Sequence, residues 1–362
     1  VKRLLKIIEA VRPTFEEGGK LRAFKPVFGA LEHFFFAPST TTIGAPHVRD
    51  PLDLKRLMSM VIISVVPSVL AAFYFFGLRF FLMIIVSYAA GLTVEAIFAM
   101  VRKEGINEGF FVTGILFPLI LPPTLPLWMV AVGVAFGVFI GKELFGGTGR
   151  NVFNPALVGR CFLALAYPKT MSASWLEPSY QLTGRLFNYV NASNVDVISS
   201  ATPLALAKQG ELCSVSHLLL GSVSGSAGET SAIAIIIGGV FLLLTRVANW
   251  RTVVSILGSF ALLGGLLHYA LPETVGPVLW HLFAGGLLFG AFFMATDPVT
   301  SPTTNTGKWL YGILIGTVTV LIRNFTGYVE GVTFAILLGN ITAPILDEII
   351  FGIRLRRLAR EG

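Results

Sequence analysis

The stretch DVISSATPLALAKQG, from Asp196 to Gly210, places hydroxyls and an acid in a polar connection between two strongly apolar halves of the chain. Thr202 followed by Pro203 reads as the start of a short helix. A threonine oxygen accepts from the first free backbone N–H groups, and proline fits the first helical position. Gly210 is the expected stop. A helix start also suits a phosphate group, so the cap reading does not exclude a function for this stretch. Carboxylates in apolar surroundings form a second set. Glu95 lies inside an apolar run, Glu229 opens another in GETSA, Asp297 sits in ATDPVTSP, and Asp347 lies in APILDE. A charge at mid-bilayer costs roughly 2.5–3.5 kcal/mol, so such acids face a protein interior and are functional candidates. Their hard oxygens suit a hard cation. Asp297 is flanked by Thr296, Thr300 and Ser301, and unwound backbone carbonyls can complete a site there. Alternatively, the acids pair with Arg160, Arg246, Arg323 or Lys308 as structural ion pairs.

Other patterns exclude chemistry. ELFGGTGRN has no Gly-Lys-Ser/Thr at the spacing a Walker loop needs, so Gly146, Gly147 and Gly149 read as a tight turn at a helix break. His268 and His281 read as interfacial side chains without metal-ligand spacing. Cys161 and Cys213 are too few for a disulfide framework or a cysteine cluster within this chain. No nucleophilic triad and no dinucleotide-binding fingerprint can be defended.

The elements that must position these residues follow from composition. The chain has 362 residues, of which 54% are hydrophobic and 13% charged. Soluble domains carry about 25% charged residues, so this is an integral membrane protein, with spans of roughly 20 apolar residues. The net charge of +7 concentrates at the two ends, in VKRLLK, GGKLRAFK, DLKRLM and RLRRLAR. That is a positive-inside pattern with both termini cytoplasmic, and it does not point to nucleic acid. No cleavable signal is expected, and residues 28–36 are too short to span and read as a surface-lying segment.

Full spans are expected at 57–76, 80–101, 127–145, 231–247, 253–271, 277–295, 310–323 and 331–351, with irregular elements at 109–122 and 154–167. The expected fold is all-α, with about ten transmembrane helices in two five-element repeat halves containing broken or half helices. EGFFVTGILFPLILPPTLPLW is echoed by GAFFMATDPVTSPTTNTGKWLYG, and GTGRNVFNPALVG loosely by FTGYVEGVTFAILLG. Paired interrupted segments of this kind point to a central binding or ion site. The divisions are 1–50, a basic cytoplasmic region; 51–167, the first membrane half; 168–216, an external loop; 217–351, the second half; and 352–362, a basic cytoplasmic tail.

Two resemblances sharpen the expectation. DVISSATP resembles the flavinylation motif Asp-x-x-(Ser/Thr)-Gly-Ala-(Thr/Ser), matched at Asp196, Ser199, Ala201 and Thr202, with Ser200 in place of glycine. HVRDPLDLKRLM, GKELFGGTGRNVFNPALVGR, GETSA, FFMATDPVTSPTTNTGKWLYG and YVEGVTFAILLGNITAPILDE are similar to the family of B subunits of sodium-translocating NADH:quinone reductases and the related D subunits of Rnf complexes. The basic N-terminal region favours the former.

The resemblance implies FMN joined through its phosphate to Thr202 by a separate flavin transferase. It also implies a non-covalent riboflavin, a quinone as electron acceptor, and outward sodium movement. Arg150 and Asn151 are candidate flavin contacts. Asp347 and Glu108 join Asp297, Glu95 and Glu229 as candidates for the ion path. The segment 103–108 and the N-terminal region would frame the quinone entrance. Partners implied are a cytoplasmic NADH-oxidising subunit, an outer flavin-bearing subunit and membrane lipid, in a bacterial inner membrane. An isolated chain would be inactive. The alternatives are an Rnf-type subunit acting between ferredoxin and NAD, and a non-redox transporter or channel.

Overall fold

The computed structural model describes residues 11–15, 28, 54–103, 109–176, 178 and 201–361. Among these the regular structure is helical, with no strand. Helix α1 (Leu54–Phe76) turns sharply into α2 (Leu78–Arg102) at Gly77, whose φ of 70° a side chain would resist. Helix α3 (Gly109–Leu119) stops before PPTLP, because Pro122, Pro123 and Pro126 have no N–H to continue it. Helix α4 (Leu127–Gly141) leads through a glycine-rich turn to α5 (Pro155–Ala166). That turn holds Gly146, Gly147 and Gly149 at positive φ. Asn154 opens α5 by accepting from the Ala156 N–H, with Pro155 next in line.

Three short helices follow: α6 (Pro168–Ala173), α7 (Pro203–Ala207) and α8 (Val215–Leu220). The rest comprises α9 (Ala232–Leu244), α10 (Trp250–Ala270), α11 (Val278–Phe283), α12 (Leu287–Phe289), α13 (Asn305–Phe325) and α14 (Val332–Glu361). Helix α12 runs into a π-helical turn, Gly290–Met294.

Five helices are long and apolar enough to cross a membrane, and α3, α5 and α9 are shorter apolar helices. The chain is an all-α, multi-pass membrane protein. Several expected spans differ: 231–247 is the thirteen-residue α9, and 277–295 is not continuous. Ala284 adopts an extended conformation and Gly285 a φ of 65°, which divides the segment into α11 and α12. The span expected at 310–323 is longer, because Thr304 caps it and moves its start back to Asn305.

Equivalent partners occur before residue 168 and after residue 216. Helix α2 packs along α4 and α4 along α5, while α10 packs along α13 and α13 along α14; α1 lies against α9. The close approaches use small residues, as membrane helices do. A Cβ at Gly312 would strike Ser255 Oγ, and one at Gly137 the carbonyl of Pro155. Phe76, Phe110, Phe117, Phe289 and Tyr311 fill the shared core, whereas Leu70, Leu262 and Leu266 face outward. Asp196, Ser199, Ser200, Glu108, most of 1–50 and most of 28–36 lie outside the described residues.

Candidate functional site

Thr202 forms the N-cap of α7, as its sequence predicts: its Oγ1 accepts from the Ala205 N–H at 3.3 Å. The short helix is fixed from three directions. Leu204 is buried with Leu218, Trp280 and Ala284. The Trp280 indole donates to the Cys213 carbonyl at 2.9 Å. The Lys208 ammonium donates to the carbonyls of Thr326 and Tyr328, at 2.7 Å each.

Thr202 and Ala201 line a cavity of about 390 Å³. Trp175, Phe283, Tyr328 and Phe334 give it aromatic walls, and Arg160, Glu229 and Glu330 give it charge. Ligand pockets of this kind, mostly apolar with a few converging polar groups, span about 300–1,000 Å³.

The charged lining is one connected cluster. Arg160 donates to Glu229 at 2.9 Å, to Glu330 at 2.5 Å and to Ser226 Oγ at 3.5 Å. Arg323 lies 3.9 Å from Glu330 and donates to the His281 carbonyl at 2.8 Å. The Gly286 N–H donates to Glu330. A Cβ at Gly286 would come within 2.6 Å of Glu330 Oε1 and closer still to Glu229 Oε1, so the two carboxylates converge there. Burial first, and the Glu330 charge second, push Glu229 up to about 7 against the pull of Arg160. Burial would raise Glu330 as well, but Arg160 and Arg323 together hold it below the ordinary carboxylate value. Glu330 and Trp175 do not stand out in the sequence. The signal for Glu330 is the one that marks Glu229: an acid just before an apolar helix begins.

The other predicted residues lie at the opposite end of α5. A twelve-residue helix rises about 18 Å, so Arg150 and Asn151 are not brought to Thr202. Asn151 accepts from the Gly149 N–H and donates to the Phe153 carbonyl, while Arg150 is exposed. Asn151, Asn154, Thr148 and Asp297 line a small cavity of about 60 Å³, room for a few waters or an ion. Asp297 accepts from the Val299 N–H at 3.3 Å and the Thr300 hydroxyl at 3.0 Å. Glu95 pairs with Lys142, a partner outside the expected set, and its second oxygen is buried without a hydrogen bond among the described residues. Asp347 accepts from the backbone N–H and hydroxyl of both Thr303 and Thr304, which ties α14 to the start of α13. Asn340, two turns earlier on α14, donates to the Thr300 carbonyl and accepts from the Asn154 N–H. His281 is buried against Trp280 rather than interfacial, and His268 contacts the Val275 carbonyl at 2.6 Å. No cluster of metal-ligating side chains occurs among the described residues.

The chain is similar to proteins named as the B subunit of the Na(+)-translocating NADH-quinone reductase. The relative from Ectopseudomonas mendocina is 38% identical over 98% of both chains. That from Azotobacter vinelandii is 39% identical over 98% of both. That from Klebsiella pneumoniae strain 342 is 37% identical over 98% of this chain and 99% of its own. The family model described as NQR2, RnfD, RnfE matches residues 41–352, and the chain belongs to that family.

Proposed function

We propose that this chain is the membrane subunit of a sodium-exporting NADH:quinone reductase and carries FMN esterified to Thr202. The observation that carries the flavin site is the cavity itself. The Thr202 hydroxyl opens onto an aromatic-walled space of about 390 Å³ with Arg160 at its lining, and a flavin ring fits that space in both size and chemistry. FMN, when bound, supplies electron transfer. The chain's residues do the rest. Asp196, Ser199, Ser200 and Ala201 present Thr202 to the flavin transferase, α7 keeps the attachment point fixed, the aromatic walls exclude water, and Arg160, paired with Glu229 and Glu330, holds the polar side of the cavity in place. The cavity at Asn151, of about 60 Å³, is too small for a three-ring group such as riboflavin.

The names and full-length coverage of the relatives support the wider assignment, and their coverage of the basic N-terminal region favours the quinone reductase over an Rnf-type complex. Charge placement supports cytoplasmic termini in a bacterial inner membrane, with α7 and its cavity on the outer side. An outer flavin-bearing subunit passes electrons to the FMN, a cytoplasmic subunit oxidises NADH, and quinone is reduced near the N-terminal region and segment 103–108.

Of the acids proposed for the ion path (Glu95, Glu108, Glu229, Asp297 and Asp347), Asp297 has the most suitable setting. It lines the small cavity beside a broken helix and has no ion pair among the described residues. The equivalent packing of α1–α5 and of α9–α14 supports two repeat halves, 51–167 and 217–351.

The test is purification of the complex through this chain from native membranes. Sodium-stimulated quinone reduction by NADH is the expected result, lost to background in Thr202→Ala with the complex still assembled. A complex without NADH-driven quinone reduction would favour a plain transporter.

A further inference from the structure

The charged cluster lining the outer cavity is more elaborate than a structural ion pair needs to be. Two carboxylates from different connecting segments, Glu229 before α9 and Glu330 before α14, meet at Gly286. Arg160, from α5, spans both with one guanidinium. Arg323, from α13, is nearly fully buried, stands 3.9 Å from Glu330, and keeps Nε and Nη2 without a hydrogen bond among the described residues. The four groups are formally neutral together, with two positive and two negative charges. Cys161 and Tyr328 are the further titratable groups on the cavity lining, and His281 of α11 stands behind Arg323, whose guanidinium donates to its carbonyl. Three of the four charged groups line the same cavity as Thr202, so any charge arriving there is felt by the cluster through a poorly screened interior.

We propose that this cluster is a proton-loading site for the outer cavity, with Glu229 as the group that takes up the proton when the cavity's occupant is reduced. This rests on the flavin assignment at Thr202. Electrons supplied by NADH oxidation add negative charge to the ring. One proton leaves a hydronium ion of the outer water and forms an O–H bond on the Glu229 carboxylate. The cluster then carries one net positive charge facing the reduced ring. Glu229, not Glu330, is the acceptor, because Glu330 has both guanidiniums and the Gly286 N–H to stabilise its charge, whereas Glu229 has only Arg160 at ion-pair distance. Two carboxylates that share one site cannot both ionise freely, and the less supported one takes the proton. In this role Glu229 is a positioning residue for charge and does not itself carry electrons.

The experiment is a spectroelectrochemical titration of the covalent flavin in the intact complex across neutral pH. Wild type, Glu229→Gln and Glu330→Gln are compared, and in-gel flavin fluorescence is recorded for each. In wild type a fall of the midpoint potential should set in near about pH 7, where Glu229 of the oxidised state gives up its proton and reduction must restore it. In Glu229→Gln that pH-dependent component should vanish. In Glu330→Gln it should persist but shift to lower pH, because the repelling charge is gone. A fluorescent Glu229→Gln complex with the wild-type pH dependence overturns the proposal and leaves the flavin assignment standing. A dark wild-type band overturns both. If Glu229→Gln fails to assemble, Glu330→Gln decides: an unshifted pH dependence overturns the proposal.

Discussion

Glu229 sits in the interior beside a second carboxylate, and its charge must be carried by one guanidinium that is already shared. Its folded proton affinity is raised, to about 7, from an ordinary value near 4.5. The sign follows from linkage: a raised acid contributes stability that is fully present below about pH 4.5 and is lost as pH rises through 7. Glu330 works in the other direction, since its lowered affinity makes its contribution fail only in acid. The melting temperature of the complex should therefore fall between about pH 5 and pH 8, and Glu229→Gln should flatten that fall, as read by scanning fluorimetry. An equally steep decline in the variant would remove Glu229 as its source. Asp297 gives a second prediction for a single side chain. Asp297→Asn should weaken the dependence of quinone reduction on sodium while leaving covalent flavin in place. Unchanged sodium dependence would take Asp297 off the ion path.

The broken elements hold their shape through contacts that sequence shows only in part. The proline-rich stop after α3 and the cap at Asn154 follow directly from residue types, since proline cannot donate and asparagine can accept. The break at 284–286 was not legible, because a hydrophobic run containing Gly285 and Gly286 looks the same whether it is one span or two. Pro344 lies inside the continuous α14 and removes the N–H that would bond the Asn340 carbonyl, between the two residues, Asn340 and Asp347, that hold the 300–304 segment. Asp347→Ala should free Thr303 and Thr304, the cap of α13, from their shared carboxylate and cost about 1 kcal/mol, measurable as a lower melting temperature. The Glu95–Lys142 pair joins α2 to the end of α4 in a buried setting. Glu95→Ala alone should cost roughly 3–5 kcal/mol by leaving an unpaired ammonium, and adding Lys142→Met should restore most of it. A double variant no more stable than the single one would mean that the pair is not the source of the loss.

Across the whole molecule, the apolar composition and the charged ends made the membrane class legible, and the hydroxyl-rich motif marked Thr202. What sequence could not show is that segments far apart in the chain, around 160, 202, 229 and 330, converge on one cavity. That convergence depends on how α5, α13 and the connecting segments pack, and no local pattern encodes it. The chain has no dinucleotide fingerprint of its own, so the purified single subunit should not oxidise NADH. Covalent flavin at Thr202 is read most directly by in-gel ultraviolet fluorescence of the denatured chain, wild type beside Thr202→Ala, each expressed with its flavin transferase. A fluorescent wild-type band that disappears in Thr202→Ala is the expected result. A dark wild-type band, in cells where a control flavoprotein is labelled, would contradict it and leave Thr202 as a helix cap alone.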